Sequence, residues 1–315
     1  MNTDSIVEFN SLYELILHFD TPEKCEEHLI NLRWNGEPTC PTCGCKKVGT
    51  LKGKRKQFKC YGCKRKFSVK TGSIFHDSKL PLLKWFVAIY LFSSHKRGIS
   101  SHQLAKDIKV SQKSAWYMLH RIRECFKNNN EEKLDGVVQI DETYVGGDIN
   151  RMNAKTKSKF EDTKSKDIKT PILGIMNENE VRVIKIEEAD KETLQAIMKN
   201  EIDENAIVVT DGYGAYHWAK QYYKGHISVR HSQGEYVKDG YTTNNIENFW
   251  SHFKRGVIGT YFHMSEDHMD SYVTEFAFRY NTRKMGEGVR FDMTLANSNK
   301  TLSWNELVER TKSAA

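Results

Sequence analysis

Two C-x-x-C motifs in the first quarter of this chain constrain its folding more than any other feature. Cys40-Pro41-Thr42-Cys43 is followed, after 16 residues, by Cys60-Tyr61-Gly62-Cys63. Thiolates bind Zn²⁺ tetrahedrally, and a site closed by four sulfur ligands is structural rather than catalytic. A segment this short has no core of its own, so metal binding should supply its folding energy. The motifs predict a zinc ribbon over residues 36–78, with one structural Zn²⁺ bound by Cys40, Cys43, Cys60 and Cys63.

The remaining cysteines leave alternatives open. The chain has seven cysteines, an odd number that argues against a closed disulfide framework. Cys25, Cys45 and Cys125 lie outside the two motifs, and such cysteines usually behave as small hydrophobic residues. Cys45 is an alternative to Cys43 as a zinc ligand, although the spacing favours Cys43. A redox-active cysteine pair is a further interpretation, which the presence of two motifs disfavours.

A run of basic residues overlaps the cysteine motifs. From Lys46 to Lys70 the chain has 11 Lys and Arg residues in 25 positions and no acid, and its formal net charge is +7. A solvated surface is the usual explanation of such a run, but here it alternates with aromatic residues and a metal motif. That combination favours a phosphate-binding surface. The residues of the run that we expect to bind DNA are Lys54, Arg55, Lys56, Lys64 and Arg65.

Length and composition indicate a soluble intracellular protein of more than one domain. At 315 residues, two or three folding units are expected, and 38% hydrophobic residues provide a core for each. No apolar run approaches the roughly 20 residues of a membrane span. The first residues lack the basic and apolar regions of a secretory signal. We therefore expect a cytoplasmic, nucleoid-associated protein that has no membrane partner.

Residues 79–128 are expected to form a helical DNA-binding domain. Apolar residues recur at helical spacing, and Ser100 and Ser111 are typical N-cap residues. A short helix, a tight turn and a longer helix form the helix-turn-helix pattern, whose second helix usually contacts bases through its amino-terminal end. A three-helix bundle without a DNA-binding role is the alternative. The predicted base-contacting residues are Gln112, Lys113, Ser114 and Tyr117.

The rest of the chain predicts an α/β domain with a mixed sheet flanked by helices. The predicted strands cover residues 137–145, 170–176, 181–186 and 206–210, and the predicted helices cover 189–199 and 213–223. Residues 151–169 are polar and are expected to form an exposed loop. The boundaries assigned are amino-terminal helices at 1–35, a linker at 129–134, the α/β domain at 135–290 and a carboxy-terminal tail at 291–315. The tail is amphipathic, so we expect it to pack on the core or on a partner.

Three carboxylates occupy distinctive positions in the α/β domain. Asp141 lies on a predicted strand, Asp211 ends another, and Glu247 lies near the start of a helical pattern. Because alternate residues share a face of a strand, Asp141 is preferred over Glu142 as a ligand. Hard oxygen ligands suit Mg²⁺, and two such ions about 3.5–4 Å apart serve phosphodiester chemistry.

Each of these residues also has an ordinary structural explanation. Aspartates at strand ends commonly form turns. Asn244 and Glu247 have the spacing of a capping box, in which Glu247 would merely accept a backbone N–H. Lys254 lies two helical turns after Glu247, where it would reach a DNA phosphate, although an isolated lysine is usually solvated.

Longer motifs around these residues resemble a known family. Ile140–Gly147, Val209–Tyr213 and Asn245–Gly256 look like the three carboxylate motifs of the DDE transposases of bacterial insertion sequences. The subgroup that this chain resembles is ISXO2-like, carries an amino-terminal zinc ribbon and is related to the Merlin DNA transposons. The likeness extends over about residues 20–285.

The resemblance implies an RNase H-like catalytic fold for the α/β domain. It implies that Asp141, Asp211 and Glu247 bind two catalytic Mg²⁺ ions, with Mn²⁺ as a substitute, and that Lys254 matches the lysine that follows the third acid. The implied partners are double-stranded DNA, both as inverted repeats at transposon ends and as target DNA, and a second copy in a homodimer on paired ends.

The sequence therefore predicts a transposase that cuts phosphodiesters at transposon ends and joins the 3′-hydroxyls to target DNA. Two rival hypotheses remain. The first is a catalytically inactive, sequence-specific DNA-binding regulator, against which the intact set of three carboxylates argues. The second is a structure-specific nuclease that cuts DNA without joining it.

Overall fold

The computed structural model describes residues 9–53, 56–127, 132–146, 169–230, 233–262 and 264–309. Within these ranges the chain forms two compact units, one from residues 9–127 with 284–309 and the other from 132–283. The sequence placed residues 284–290 with the catalytic domain, whereas the second unit ends at Arg283. No helix in the described ranges is both long enough and apolar enough to cross a membrane.

The first unit begins with two helices and a small antiparallel sheet. The helices are α1 (Leu12–His18) and α2 (Pro22–Trp34), and the strands, which pair in chain order, are β1 (Val48–Leu51), β2 (Gln57–Cys60) and β3 (Lys66–Phe67). The ring of Trp34, at the end of α2, meets the rings of Phe58 and Phe67 edge-on. This aromatic contact gives the small sheet an apolar partner that the ribbon alone does not supply.

Three helices follow the ribbon, as the sequence predicts. They are α3 (Leu82–Ser94), α4 (Ser101–Ile108) and α5 (Gln112–Arg123). The hydroxyls of Ser100 and Ser111 cap α4 and α5 by accepting backbone N–H groups three residues later. Lys109 adopts a left-handed conformation between them, so the chain turns tightly from the shorter helix to the longer one.

A five-stranded mixed sheet forms the centre of the second unit. Its strands are β4 (Val137–Val145), β5 (Thr170–Met176), β6 (Val181–Lys185), β7 (Ile207–Thr210) and β8 (Gly225–Ser228). In the order β6-β5-β4-β7-β8, β4, β5 and β6 pair antiparallel, whereas β7 and β8 join parallel to β4. This topology confirms the α/β, RNase H-like fold that the resemblance implies.

Helices cover both faces of this sheet. On one face, α6 (Lys191–Glu201) and α7 (Ala219–Tyr222) enclose a core that includes Val138 and Ile140 of β4. On the other face, α8 (Asn244–Gly256) and α9 (Met269–Asn281) pack their own apolar core against β5 and β6. Because neighbouring residues of a strand point to opposite faces, the odd-numbered residues of β4 face α8.

Several element bounds differ from those that the sequence predicts. The helix predicted at 189–199 begins at Lys191, because the carboxylate of Asp190 accepts the N–H of Thr193 and caps it. Residues 213–223 form a short 3₁₀ turn, Gly214–Tyr216, and then α7 rather than one helix. Strand β8 was not predicted. The loop predicted at 151–169 lies outside the described residues except for Lys169.

The carboxy-terminal segment belongs to the first unit. Its helices are α10 (Glu287–Ala296) and α11 (Trp304–Glu309). The ring of Phe291 is fully buried, with its centroid 5.5 Å from that of Phe86. Asp292 lies 2.8 Å from the imidazole of His28. Of the two placements expected for this tail, packing on the core is the one observed.

Candidate active site and metal centre

Asp141 and Asp211 lie side by side at one edge of the second unit's sheet. In the parallel pair formed by β4 and β7, Gln139 is opposite Val209. Asp141 lies two residues after Gln139 within β4, and Asp211 lies two residues after Val209, just past the end of β7. Neighbouring strands are about 4.8 Å apart, and a shift of two residues preserves the face. The register therefore brings both aspartates to the same level and to the same face.

Asp211 begins the turn that follows β7. Its Oδ1 accepts the N–H of Tyr213 at 2.9 Å. Its backbone carbonyl accepts the hydroxyls of Thr210 and Ser228, each at 2.9 Å. The turn expected as the ordinary role of a strand-end aspartate is thus present, and it orients the carboxylate at the edge of the sheet.

Helix α8 packs closely on the sheet beside Asp141. The buried N–H of Ile246 donates to Oε1 of Gln139 at 3.1 Å. Gly174 is paired with Asp141 in the neighbouring strand, and a Cβ at Gly174 would lie 2.5 Å from the ring of Trp250. A side chain at this position would push the helix away. Gly174 therefore permits the close approach of α8 that brings Glu247 toward the aspartates.

Glu247 lies in the first turn of α8. Its Oε1 accepts the hydroxyl of Thr243 at 2.8 Å, and Thr243 is the N-cap residue. The capping box suggested for Asn244 and Glu247 is therefore wrong, because the helix starts one residue earlier. The N–H of Asn244 donates to the hydroxyl of Thr242 at 3.1 Å.

The carboxylates at this edge act on one another electrostatically. Burial, followed by the negative charge of Asp211 and Glu247, raises the pKa of Asp141 to about 7. The backbone N–H of Glu142 and the charge of Lys254 lower the pKa of Asp141 by smaller amounts. Lys254 is exposed on α8, two turns beyond Glu247. Negative charge at this edge therefore exceeds the positive charge that the side chains supply.

Glu142 is a carboxylate that the sequence did not select. It points to the face opposite Asp141, where its Oε1 accepts the hydroxyl of buried Tyr216. Burial raises the pKa of Glu142 to about 7; the Tyr216 hydroxyl opposes this shift, and the charges of Asp211 and Asp141 add to it. Tyr216 therefore anchors Glu142 on the face of β4 opposite Asp141.

Four cysteines form a compact cluster in the first unit. Their sulfur atoms all lie within 4.8 Å of one another, with 3.7 Å between Cys40 and Cys63 and 3.6 Å between Cys43 and Cys60. A tetrahedron with Zn–S bonds of about 2.3 Å has edges of about 3.8 Å. The backbone N–H of Cys63 lowers the pKa of Cys60 to about 6, which favours the metal-binding thiolate. The cluster thus supports one structural Zn²⁺.

The remaining ligand alternative, Cys45, lies outside this cluster. Its sulfur is 4.0 Å from the backbone carbonyl of Lys47. Among the described residues, the four cysteines are the group of metal-ligating side chains whose atoms all lie within 4.8 Å. Asp141, Asp211 and Glu247 do not form such a group in the part of the chain that the structure describes.

Two family models match this chain. An ISXO2-like transposase domain matches residues 133–281, and a transposase zinc-ribbon domain matches residues 20–66. Together they cover more than half of the chain, including the three carboxylates and the four clustered cysteines. The chain belongs to the ISXO2-like transposases. An uncharacterised protein in transposable element ISH50 of Halobacterium salinarum is 25% identical to this transposase over 292 residues, which cover 85% of this chain and 94% of that protein.

The ribbon of this transposase presents part of the basic run to solvent. Lys56, Lys64 and Arg65 are exposed on or beside the ribbon strands. Lys54 and Arg55 lie outside the described residues. The exposed cations therefore belong to the same segment as the zinc cluster, so the metal would fix the fold that carries them.

The carboxy-terminal segment of the transposase covers part of the predicted base-contacting face of α5. The ammonium of Lys113 lies 4.4 Å from the centroid of the Trp304 ring, and the hydroxyl of Tyr117 donates to the carbonyl of Leu302 at 2.7 Å. Gln112 donates to Ser101 at 2.9 Å. Ser114 shares a hydroxyl contact of 2.9 Å with the capping Ser111. Gln112 and Lys113 are exposed, whereas Tyr117 is half-buried by this packing.

Sequence reasoning missed three residues that position the carboxylates of the transposase. Gln139 binds the start of α8, Thr243 binds Glu247, and Gly174 admits the Trp250 ring. A signal existed for Gln139, since it shares a strand face with Asp141. No sequence signal pointed to Gly174, because a glycine is needed there only to make room for the Trp250 ring, which comes from a distant part of the chain.

Proposed function

We propose that this transposase cuts phosphodiesters at transposon ends and then joins the 3′-hydroxyls to target DNA. The observation that supports the proposal most is the strand register that sets Asp141 beside Asp211. Helix α8 packs on the same face and adds Glu247. Three acids brought together from distant parts of the chain, at an open sheet edge, form a typical site for divalent cations and phosphates.

The donor set of the proposed site fits Mg²⁺, and Mn²⁺ as a substitute. Carboxylate oxygens are the ligands that such hard cations prefer. Burial, and then the negative charge of Asp211 and Glu247, raises the pKa of Asp141, and a bound cation would neutralise that charge. When bound, the ions would activate the attacking oxygen and stabilise the leaving oxygen.

The chain's own residues orient the reactants in this proposal. Gln139 and Gly174 hold α8 against the sheet, and Thr243 orients the carboxylate of Glu247. Lys254 is exposed on the same helical stripe as Glu247, where its charge would hold a DNA phosphate. The side chains thus contribute position and charge, which are the main sources of rate in phosphodiester chemistry without a covalent intermediate.

The proposed partner is double-stranded DNA, bound as the inverted repeats of transposon ends and as the target. The zinc ribbon would supply phosphate contacts through its exposed cations, and the start of α5 would supply base contacts. Because part of α5 packs on the carboxy-terminal segment, Gln112 and Lys113 are the exposed candidates there. A homodimer on paired ends completes the proposal.

A cleavage and joining assay tests the catalytic assignment. Full-length protein would be incubated with duplexes that carry the inverted repeats bordering the gene, in Mg²⁺, Mn²⁺ or EDTA. We expect cutting with Mg²⁺ or Mn²⁺, and joining when a pre-cut 3′-hydroxyl end and a target plasmid are supplied. Asp141→Asn, Asp211→Asn and Glu247→Gln should still bind the duplex but lose cutting by at least about 100-fold.

The other outcomes separate the rival functions. Metal-dependent cutting that persists in Asp141→Asn and Asp211→Asn would remove these residues from the catalytic site. Tight repeat binding by the wild type without any cutting would indicate a regulator. Cutting without joining of a pre-cut end would indicate a nuclease.

A further inference from the structure

An exposed apolar tip follows the end of α8. The side chain of Phe262 is 81% exposed and that of Ile258 is 71% exposed, in a chain whose other large apolar side chains are mostly buried. They lie on or just after a π-helical turn, Val257–Tyr261, that continues α8. We refer to Ile258 and Phe262 as the apolar tip.

The backbone at the tip is held in an unfavourable conformation. Phe262 has φ 58° and ψ −42°, a region that residues with a side chain rarely adopt. Its N–H donates to the carbonyl of Val257 at 2.8 Å, which closes the wide turn. π-type turns and positive φ at a bulky residue are both concentrated at functional sites. Neither feature stabilises the folded state, because the Phe262 ring remains exposed to solvent.

The residue before Phe262 fixes the tip in place. The hydroxyl of Tyr261 donates to Oε1 of Glu275 at 2.5 Å, and the fully buried Glu275 is paired with Arg279 at 2.6 Å. The Tyr261 ring also meets the ring of Tyr272 edge-on, with 4.9 Å between centroids. One side of the turn is therefore anchored in the core, while the Phe262 ring is directed outward from a rigid base.

The tip continues the helical surface that carries the proposed catalytic groups. Glu247, Lys254 and Ile258 recur at intervals of seven and four residues, which is one stripe of a helix. The other exposed residues of α8 are neutral polar or basic, and Glu247 is the one acid among the exposed residues of this helix. Besides Lys254, these exposed neutral polar and basic residues of α8 are Asn244, Asn245, Asn248, Ser251, His252 and Arg255. The charge of this surface is compatible with a nucleic-acid backbone.

We propose that the apolar tip, about 16 Å along the helix axis from Glu247, opens the DNA duplex several base pairs from the cleaved phosphate, with the Phe262 ring stacking on an unpaired base. Apolar side chains unstack base steps by inserting between them, and aromatic rings stack on exposed bases of any sequence. An opened base pair frees the backbone to bend toward the carboxylates. The proposal rests on the proposed function, since it places DNA along α8.

Base opening is measured with a fluorescent base. Inverted-repeat duplexes with 2-aminopurine at successive positions outward from the cleaved phosphate would be mixed with full-length protein in Ca²⁺, which permits binding without cutting. We expect a several-fold rise in fluorescence at one position with the wild type. Phe262→Ala and Phe262→Gly should lose this rise and cut roughly tenfold more slowly or worse, whereas Phe262→Trp should retain both.

Two further variants separate this role from a structural one. Glycine is favoured at positive φ, so Phe262→Gly should unfold at the same temperature as the wild type or higher, although it loses activity. Tyr13→Ala removes an aromatic ring that is 71% exposed elsewhere in the chain, and it should change nothing. A duplex with a mismatch at the responding position should restore cutting by Phe262→Ala, because its base pair is already weakened.

The outcomes distinguish this inference from the catalytic proposal. If Asp141→Asn loses cutting but keeps the fluorescence rise, the catalytic proposal and the inference about the apolar tip both stand. If Asp141→Asn loses cutting while Phe262→Ala and Phe262→Gly cut like the wild type, the tip has no such role. If the wild type gives no rise at any position, the inference is overturned whatever the carboxylates do. Loss of self-association by Phe262→Ala in sedimentation without DNA would assign the tip to a contact between copies and overturn it as well.

Discussion

At the residue scale, the proposed site contains more negative charge than its surroundings neutralise. The pKa of Asp141 is raised to about 7, chiefly by burial and then by Asp211 and Glu247. An aspartate in an unfolded chain titrates near 4. The folded unit therefore keeps a proton between about pH 4 and pH 7 that the unfolded chain has lost. The contribution of Asp141 to the free energy of unfolding is therefore highest below about pH 4 and is lost as the pH rises through 7.

The Asp141→Asn variant tests this charge directly. Without divalent cations at pH 8, it should unfold at a temperature at least about 2 °C higher than the wild type, because it removes a buried charge. The difference should vanish near pH 4. Adding Mg²⁺ should raise the unfolding temperature of the wild type more than that of the variant. Circular dichroism during thermal unfolding measures the unfolding temperatures at pH 8, at pH 4 and with Mg²⁺. Equal unfolding temperatures for the wild type and the variant at pH 8 would contradict a buried charge at Asp141.

At the scale of elements, one close contact sets the distance between α8 and the sheet. Gly174→Ala would place a Cβ 2.5 Å from the Trp250 ring, so the helix must shift. We expect a cost of about 1–3 kcal/mol in unfolding free energy and a loss of cutting, because Glu247 moves with the helix. Chemical denaturation and the cleavage assay measure these effects.

Gly225→Ala is the matched control in the same sheet. A Cβ there would meet side-chain atoms of Ile207 at 3.6 Å, which is ordinary contact. This variant should cut DNA like the wild type. Equal losses in both variants would indicate that any added methyl group disturbs the sheet, and the specific role of Gly174 would be wrong.

The zinc ribbon is the second element with a sharp prediction. Cys60→Ser should release the metal, unfold the ribbon and weaken DNA binding, because structural zinc supplies folding energy to such modules. Cys45→Ser is the control, since Cys45 lies outside the cluster. Zinc content by atomic absorption and repeat binding by fluorescence anisotropy are the measurements. Loss of zinc from Cys45→Ser but not from Cys43→Ser would make Cys45, rather than Cys43, the fourth ligand.

Local patterns predicted most elements of this chain, and the misses have physical causes. Strand β4 has the predicted bounds, because the alternation of polar and apolar residues continues along the strand. Strand β8 was missed because Gly225–Ser228 has one apolar residue, so its pairing depends on β7. The three carboxylates were found from local motifs. The role of Gly174 depends on Trp250, which is distant in the chain. The role of Thr243 depends on where α8 begins, and the exposure of Phe262 depends on a backbone conformation that no pattern specifies.

At the scale of the whole molecule, the first unit is built from both ends of the chain. Phe291 of α10 is fully buried among aromatic rings that include Phe19 and Phe86. Phe291→Ala should destabilise the first unit by about 3–5 kcal/mol and weaken repeat binding, although the ring itself is fully buried. Met285→Ala, a change at a side chain that is 41% exposed, is the control and should bind normally. If Phe291→Ala unfolds at the same denaturant concentration as the wild type, the packing of α10 on the first unit would be contradicted.

This arrangement also has a consequence for synthesis on the ribosome. Residues 132–283 leave the ribosome before α10 and α11, so the unit that carries the carboxylates can fold while the other still lacks two helices. A product halted before codon 284 would hold the proposed cutting residues without the finished partner unit. If the proposed function holds, such a product should bind and cut transposon ends poorly, because the unit that carries the zinc ribbon and α5 is unfinished.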